Sequence, residues 1–376
     1  MLKKILLLLL VILILGAAVI FGSIGAVLSW FVTRSDQTPR MVVETGPTQA
    51  AMSTLPSIPV STGKPANPGP SPTSVKGQLS SLPVCFSTEE LIPFVFTPEA
   101  TKLLVRARSG VQIFDLESGT QDAFIHSSQE LIAAALSPDG QVLAWSLDDN
   151  TIQLLRISNQ EVLRTLSGHI DMVTKLTFSP AGDFLVSASH DNSVRVWNMQ
   201  GEELRSLQPV EALGIGISKD GSMLATVSFD GPVSQWDLDT LEKIKDLGGS
   251  GGYDTSDAEF SPDGQYLAAD LATGIFLWQV SDGNLVWNEV KNSMAVTFSP
   301  DGKYLAYSDV DDGNKVFLTS PDGARVIRTI EGIQSPVWAL FFSPDGSLLA
   351  ASDGIEIHIW RVEDRTLLYI GKAACP

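Results

Sequence analysis

The chain has 376 residues, with 25 basic and 43 acidic side chains and a formal net charge of −18. Such a field repels nucleic acid and anionic lipid head groups, which argues against a protein that binds along a phosphate backbone. Two cysteines and four histidines are too few for a disulfide-dense scaffold or a multi-zinc protein.

In chain order, the first predicted element is Ile5 to Val32, 28 residues without a charge, preceded by Lys3 and Lys4 and followed by Arg34. As a helix it would be about 42 Å long, enough to cross a bilayer core of about 30 Å. A signal peptide has an apolar region of about 7–15 residues and a small-residue cleavage site. This run is longer, and Trp30 and Phe31 stand where an interfacial aromatic belt would lie. Residues 1–34 are therefore read as an uncleaved membrane anchor, with a cleaved signal as the alternative. Lys3 and Lys4 keep the amino terminus cytoplasmic and put the rest of the chain outside.

Residues 35–83 hold Pro39, Pro47, Pro56, Pro59, Pro65, Pro68, Pro70, Pro72 and Pro83 among Ser, Thr and Gly. That composition buries too little apolar surface to offset chain entropy, so it is expected to be a disordered linker. A ligand for a Pro-binding domain is the other reading. Of the charged residues, 19 of the 25 basic and 41 of the 43 acidic lie beyond it, a net of −22 for residues 84–376. Solubility accounts for that excess; attraction of cationic partners or a divalent metal is the sharper alternative.

From Val84 onward a corner recurs: Pro98-Glu99, Pro138-Asp139-Gly140, Pro180-Ala181-Gly182, Lys219-Asp220-Gly221, Pro262-Asp263-Gly264, Pro300-Asp301-Gly302 and Pro344-Asp345-Gly346. Successive corners are 40, 42, 39, 43, 38 and 44 residues apart. Four short β runs per unit at that period predict an all-β fold, a seven-bladed β-propeller over 84–376. Third strands are expected to end at Phe114, Leu155, Trp197, Trp236, Trp278, Phe317 and Trp360.

The fullest unit runs from Gly168 to Asn198 and contains His169, Ser187, Asp191 and Trp197; the next keeps Thr226, Asp230 and Trp236. These residues resemble the WD40-repeat family, most fully in blades three and four. Blade six, with Tyr304-Leu305-Ala306-Tyr307-Ser308 and a longer Asp-rich turn, looks closer to a TolB-like repeat. The resemblance implies that His169, Ser187, Asp191 and Trp197 form a structural hydrogen-bond relay, since a buried indole, hydroxyl and imidazole each need a partner. A Ser-His-Asp catalytic set is the rival reading of the same residues. The resemblance further implies a non-enzymatic scaffold for a protein or peptide partner. Its contact face would carry the loops before first strands and the turns before third strands, here Asp148, His190 and Phe229, with Tyr253 nearby. The propeller itself is expected to be monomeric.

Other motifs are weak. Gly248-Gly249-Ser250-Gly251-Gly252 matches a nucleophile-elbow string but lies between β runs, without the helix that motif requires. Asp309, Asp311, Asp312 and Asn314 around Gly313 resemble part of a calcium loop that lacks its distal Glu. His126, His190 and His358 fall in different blades without metal-ligand spacing, so neither a metal nor a cofactor is expected. A propeller enzyme or a carbohydrate-binding protein using the central channel mouth remains the alternative function. Many WD40 domains close the ring by completing one blade with a strand from the other terminus. Here blade one is expected to begin near Leu91 and blade seven to end near Ile370, in register. A Cys85–Cys375 disulfide is therefore expected to replace the strand closure, with free thiols or an intermolecular bridge as the alternatives.

Overall fold

A computed structural model describes residues 84–85, 92–107, 109–229, 231–249, 257–289, 293–354 and 356–372, side chains of 84–85, 92–94, 369–370 and 372 excepted. All of them lie in the compact unit Pro72–Pro376. The expected anchor and the whole of the expected linker, with Tyr253, Asp230 and Cys375, lie outside the described residues. Among the described residues no helix is long and apolar enough to cross a membrane.

The described residues form 29 strands in seven sheets, each with four consecutive antiparallel strands and one with a fifth strand added: a seven-bladed β-propeller. First strands touch their neighbours around the ring, and the first strand of blade seven (Ala339–Phe342) meets that of blade one (Ile92–Phe96). Burial follows from this order. Middle strands are covered on both faces, whereas fourth strands such as Glu203–Leu207 and Lys243–Gly248 are charged and exposed. In blade three Leu185 and Trp197 pack with Ile152, Leu154 and Leu166 of blade two. Their neighbours Val186, Val194 and Val196 point the other way, onto Ala212, Ile215, Leu224 and Trp236 of blade four. Successive strand residues face opposite sides, so one run feeds two apolar layers and reads as continuously hydrophobic.

The repeated corner has a local cause. In blade two Ser137 Oγ donates to Asp139 Oδ1 at 2.5 Å and accepts from Val142 N at 2.9 Å, while Gly140 N donates to Ser137 O at 2.8 Å. The glycine sits at φ +71°, a left-handed conformation that costs glycine little. Blade four repeats this with Ser218, Asp220 and Met223, at 2.6 and 2.9 Å. Hydrogen bonds from Ser137 and Ser218 hold the Asp139 and Asp220 carboxyls below their usual range. In blade three Ala181 occupies the Asp position, and Asp183 supplies the carboxylate instead, 2.5 Å from Ser179 Oγ. The same string also serves a different turn. Ser320-Pro321-Asp322-Gly323 joins the third and fourth strands of blade six, with Ser320 donating to Asp322.

Two expectations need correction. In blade six the residue paired with Leu305, as Trp197 pairs with Leu185, is Thr319 and not Phe317. Thr319 is fully buried and donates to Leu305 O at 3.1 Å; Phe317 pairs with Tyr307 and stacks on its ring at 5.3 Å. The longer turn before Lys315 shifted the aromatic out of the repeat's register. The second correction concerns closure. A short strand, Val84–Cys85, pairs in parallel with Leu367–Lys372 and becomes the fifth strand of blade seven, so the ring is closed by a strand after all. An apolar layer assists it: Phe96, Leu103, Val105 and Phe114 of blade one pack on Ala350, Ile357 and Ile359 of blade seven.

Candidate functional site

The loop before the first strand of blade three and the turn before its third are joined by a buried hydrogen-bond chain. Trp197 Nε1 donates to Ser187 Oγ at 2.8 Å, and Ser187 Oγ lies 2.7 Å from His169 Nε2. His169 Nδ1 lies 2.9 Å from Asp191 Oδ2. Because a carboxylate only accepts, Nδ1 carries the proton, Nε2 accepts from the serine, and the chain has one consistent direction. Asp191 also accepts from Ile170 N at 3.1 Å, Ser193 N at 3.0 Å and Ser193 Oγ at 2.6 Å. Burial pushes His169 below its ordinary value, so the ring is neutral. Burial alone would raise Asp191, but the Ser193 and His169 hydrogen bonds outweigh it and hold the carboxyl low. Ser187 is fully buried between indole and imidazole, so no substrate can reach its hydroxyl.

Other blades use variants of this tie. In blade four Trp236 Nε1 donates to Thr226 Oγ1 at 2.9 Å. In blade two Gln129 Nε2 donates to Asp149 Oδ2 at 3.0 Å, so an amide links loop to turn where blade three uses imidazole. The Asp-rich turn of blade six is a tight connection between strands, with Asp312 N donating to Asp309 Oδ1 at 3.0 Å and Lys315 paired to Asp312 at 3.2 Å.

Loops before first strands and turns before third strands share one end of the ring, because their backbones pair. His190 N donates to Met172 O at 2.9 Å, Asp148 N to Glu130 O at 3.2 Å and Trp338 N to Ser352 O at 2.8 Å. On this face Asp148 and His190 are exposed and Phe229 is half-buried. The structure adds residues that sequence reasoning missed: Ile170 at 84 % exposure, Met172 at 38 % and Trp338 at 54 %. Trp338 adjoins the run Ala339-Leu340-Phe341-Phe342 and reads as one more buried strand residue. The strand begins only at Ala339, which leaves the indole on the loop.

Inside the ring, Lys175 of blade three reaches Asp257 of blade five at 3.1 Å. A cavity of about 230 Å³ lies beside them, bordered by Thr177, Gly216, Asp257 and Glu259 among others. Gly216 is required there: a Cβ would stand 2.2 Å from Ala258 O, closer than any side chain allows. Burial pushes Glu259 up to about 8, although Thr297 and Phe298 N donate to it; the Phe298 bond is 3.2 Å long. Asp270 is raised well above the carboxylate range by burial and by Asp257, whose N–H it accepts at 2.6 Å. Glu259 is therefore largely protonated near neutral pH. The alternation Asp257-Ala258-Glu259 puts two acids on one face of a strand, a sequence signal for Glu259 that does not extend to Asp270.

Fold and tied blade together resemble a β-propeller of WD-repeat type. The family description "WD domain, G-beta repeat" matches residues 160–198 and 324–361. Each span begins in the turn just before the fourth strand of one blade and ends in the third strand of the next, so a sequence repeat straddles two blades. The spans end in blades three and seven, and blade four, the second of the two expected to resemble the family most, is not matched. Among curated proteins, the chain is 29 % identical over 202 residues to WD repeat-containing protein SL1-17 of Schistosoma mansoni, covering 49 % of this chain and 64 % of that one. It is 25 % identical over 291 residues to COMPASS component SWD3 of Saccharomyces cerevisiae, covering 73 % and 82 %. It is 23 % identical over 283 residues to WD repeat-containing protein 82 of Drosophila melanogaster, covering 71 % and 89 %. The chain carries WD40 repeats and closes them into a seven-bladed β-propeller.

Proposed function

We propose that this protein is a non-enzymatic scaffold that binds a protein or peptide on the face carrying Ile170, Met172, His190 and Trp338. The observation that carries the reading is the exposure of Trp338 and Ile170, in blades seven and three, on loops at the same end of the ring. An indole left 54 % exposed on a rigid loop has the anchor chemistry of interface hot spots. Asp148, Phe229 and Tyr253 belong to the same proposed surface. A relative named as a component of COMPASS supports an assembly role. The proposal includes a single-pass anchor at Ile5 to Val32, a linker to residue 83 and a monomeric propeller on the extracytoplasmic side that avoids nucleic acid. The channel cavity favours a second reading, a small polar or carbohydrate ligand held by Lys175, Asp257 and Glu259.

Proximity labelling with a membrane-impermeant reagent, followed by binding measurements on the captured protein, tests the first reading. Trp338→Ala is expected to weaken binding by about 2 kcal/mol, roughly 30-fold. Unchanged affinity in both Trp338→Ala and Ile170→Asp, with melting unaltered, would refute the docking face. An affinity lost only in Lys175→Ala would favour the channel.

We also propose the Cys85–Cys375 disulfide, now as a supplement to the strand closure. Cys85 pairs with Lys372 in the strand register, three residues before Cys375. A bridge enclosing nearly the whole propeller would stabilise it by about 4–5 kcal/mol in the loop-entropy treatment. Peptide mapping of the non-reduced protein should find these two cysteines linked. Two alkylated thiols, or a reduction-sensitive dimer, would overturn it.

A further inference from the structure

The turn before the third strand of blade seven gathers three donor groups. Asp353 follows the second strand (Leu348–Ser352), and Glu356 and His358 lie two apart on the third (Glu356–Arg361), so their side chains leave the same face. Gly354, at φ +85°, turns the chain so that Asp353 returns toward that face. One ligand atom from each residue lies within 4.8 Å of the others. The spacing Asp-x-x-Glu-x-His is invisible to a search for paired histidines, because its other donors are carboxylates.

Geometry and rigidity fit a small divalent ion. His358 Nε2 is 3.2 Å from Glu356 Oε2. Two ligands of a tetrahedral zinc ion, each about 2.0–2.1 Å from the metal, stand roughly 3.3 Å apart. The imidazole is held flat on Trp360, with centroids 5.5 Å apart and planes at 9°. Asp353 Oδ1 accepts from Glu356 N at 2.6 Å, which fixes the carboxylate over the turn. Asp353 and His358 are 7 % and 5 % exposed, whereas the Glu356 side chain is 20 % exposed and leaves a side open to solvent. Two carboxylates beside one imidazole leave the cluster negative, in a chain already at −18.

We propose that Asp353, Glu356 and His358 form a zinc site that pins the second strand of blade seven to its third. An imidazole nitrogen among so few ligands favours zinc over magnesium or calcium, which take six or more ligands, chiefly oxygens. The pinned blade is the one that receives the strand Val84–Cys85 and packs on blade one, so zinc would steady the ring where it closes. It would also fix the turn whose Ser352 carbonyl accepts from the Trp338 N–H.

The full chain, purified with detergent present and stripped with a chelator, should be titrated with zinc, magnesium or calcium chloride. Expected results are retention of one zinc per chain on dialysis and a higher Tm with zinc but not with the other two ions. Cobalt substitution should give the visible absorption of a tetrahedral site. Glu356→Gln, close in shape and able to fold without metal, should lose affinity about 10- to 100-fold, and His358→Ala at least as much. Zinc retention equal in Glu356→Gln and the unmodified chain would mean diffuse binding to surface acids and overturn the site. No zinc-dependent Tm shift in the unmodified chain would leave Glu356 and His358 a simple ion pair and overturn it equally.

Discussion

Trp197→Ala is expected to destabilise the propeller by about 3–5 kcal/mol, the range for truncating a fully buried aromatic. The indole fills the layer between blades two and three, 2 % exposed, against Ile152, Leu154, Leu166, Val173 and Leu185. Its N–H is the first donor of the chain that runs through Ser187 and His169 to Asp191, so the truncation also leaves Ser187 without that donor. Trp197→Phe keeps most of the volume and removes the N–H alone; it should cost about 1–2 kcal/mol. Denaturant unfolding followed by circular dichroism separates the two. Equal midpoints for Ala and Phe would show that the cavity contributes nothing, and a Phe variant as stable as the unmodified protein would show that the hydrogen bond does not.

Glu259→Gln is expected to stabilise the protein at pH 8 and to do almost nothing at pH 4.5. In the folded chain Glu259 titrates at about 8, against an ordinary 4.5, because it is buried beside the channel. Between those values the folded state holds a proton that the unfolded state has released, so this residue's contribution to stability falls as pH rises through the window. Allowing for water in the neighbouring cavity, the accumulated loss at pH 8 is about 2–4 kcal/mol. Gln is neutral throughout and retains an acceptor for the Phe298 N–H. His169 works with the opposite sign: its depressed value makes stability fall as pH drops below about 6.5. Asp270 shares the sign of Glu259. Since both remain in the variant, the difference between the two pH–stability curves isolates Glu259. A constant difference from pH 4.5 to 8 would refute the assignment.

How legible was all this in the sequence? Blade number and strand order were, because both rest on local causes. The corner Ser-Pro-Asp-Gly closes through bonds within five residues, as at Ser137 and Val142, and each copy announces itself. Where local and global register part company the reading slipped. Phe317 was the nearest aromatic to the repeat position, but pairing with Leu305 selected Thr319 across a turn whose length the motif does not fix.

The surface and the channel were much less legible, since they depend on which residues distant segments bring together. Trp338 stands exposed one residue before the strand begins, although Val337 beside it is buried, and nothing in the apolar run marks the difference. Lys175 and Asp257 meet across the ring although 82 residues separate them. The repeat, the turn chemistry and the two-faced apolar layers are written in the residues themselves, because hydrogen bonds and side-chain alternation over a few residues impose them. How the ring closes and which carboxyls lose water in the channel emerge only when the seven sheets come together. Each of those follows from the curvature that brings seven sheets around one axis, and no window of forty residues contains it.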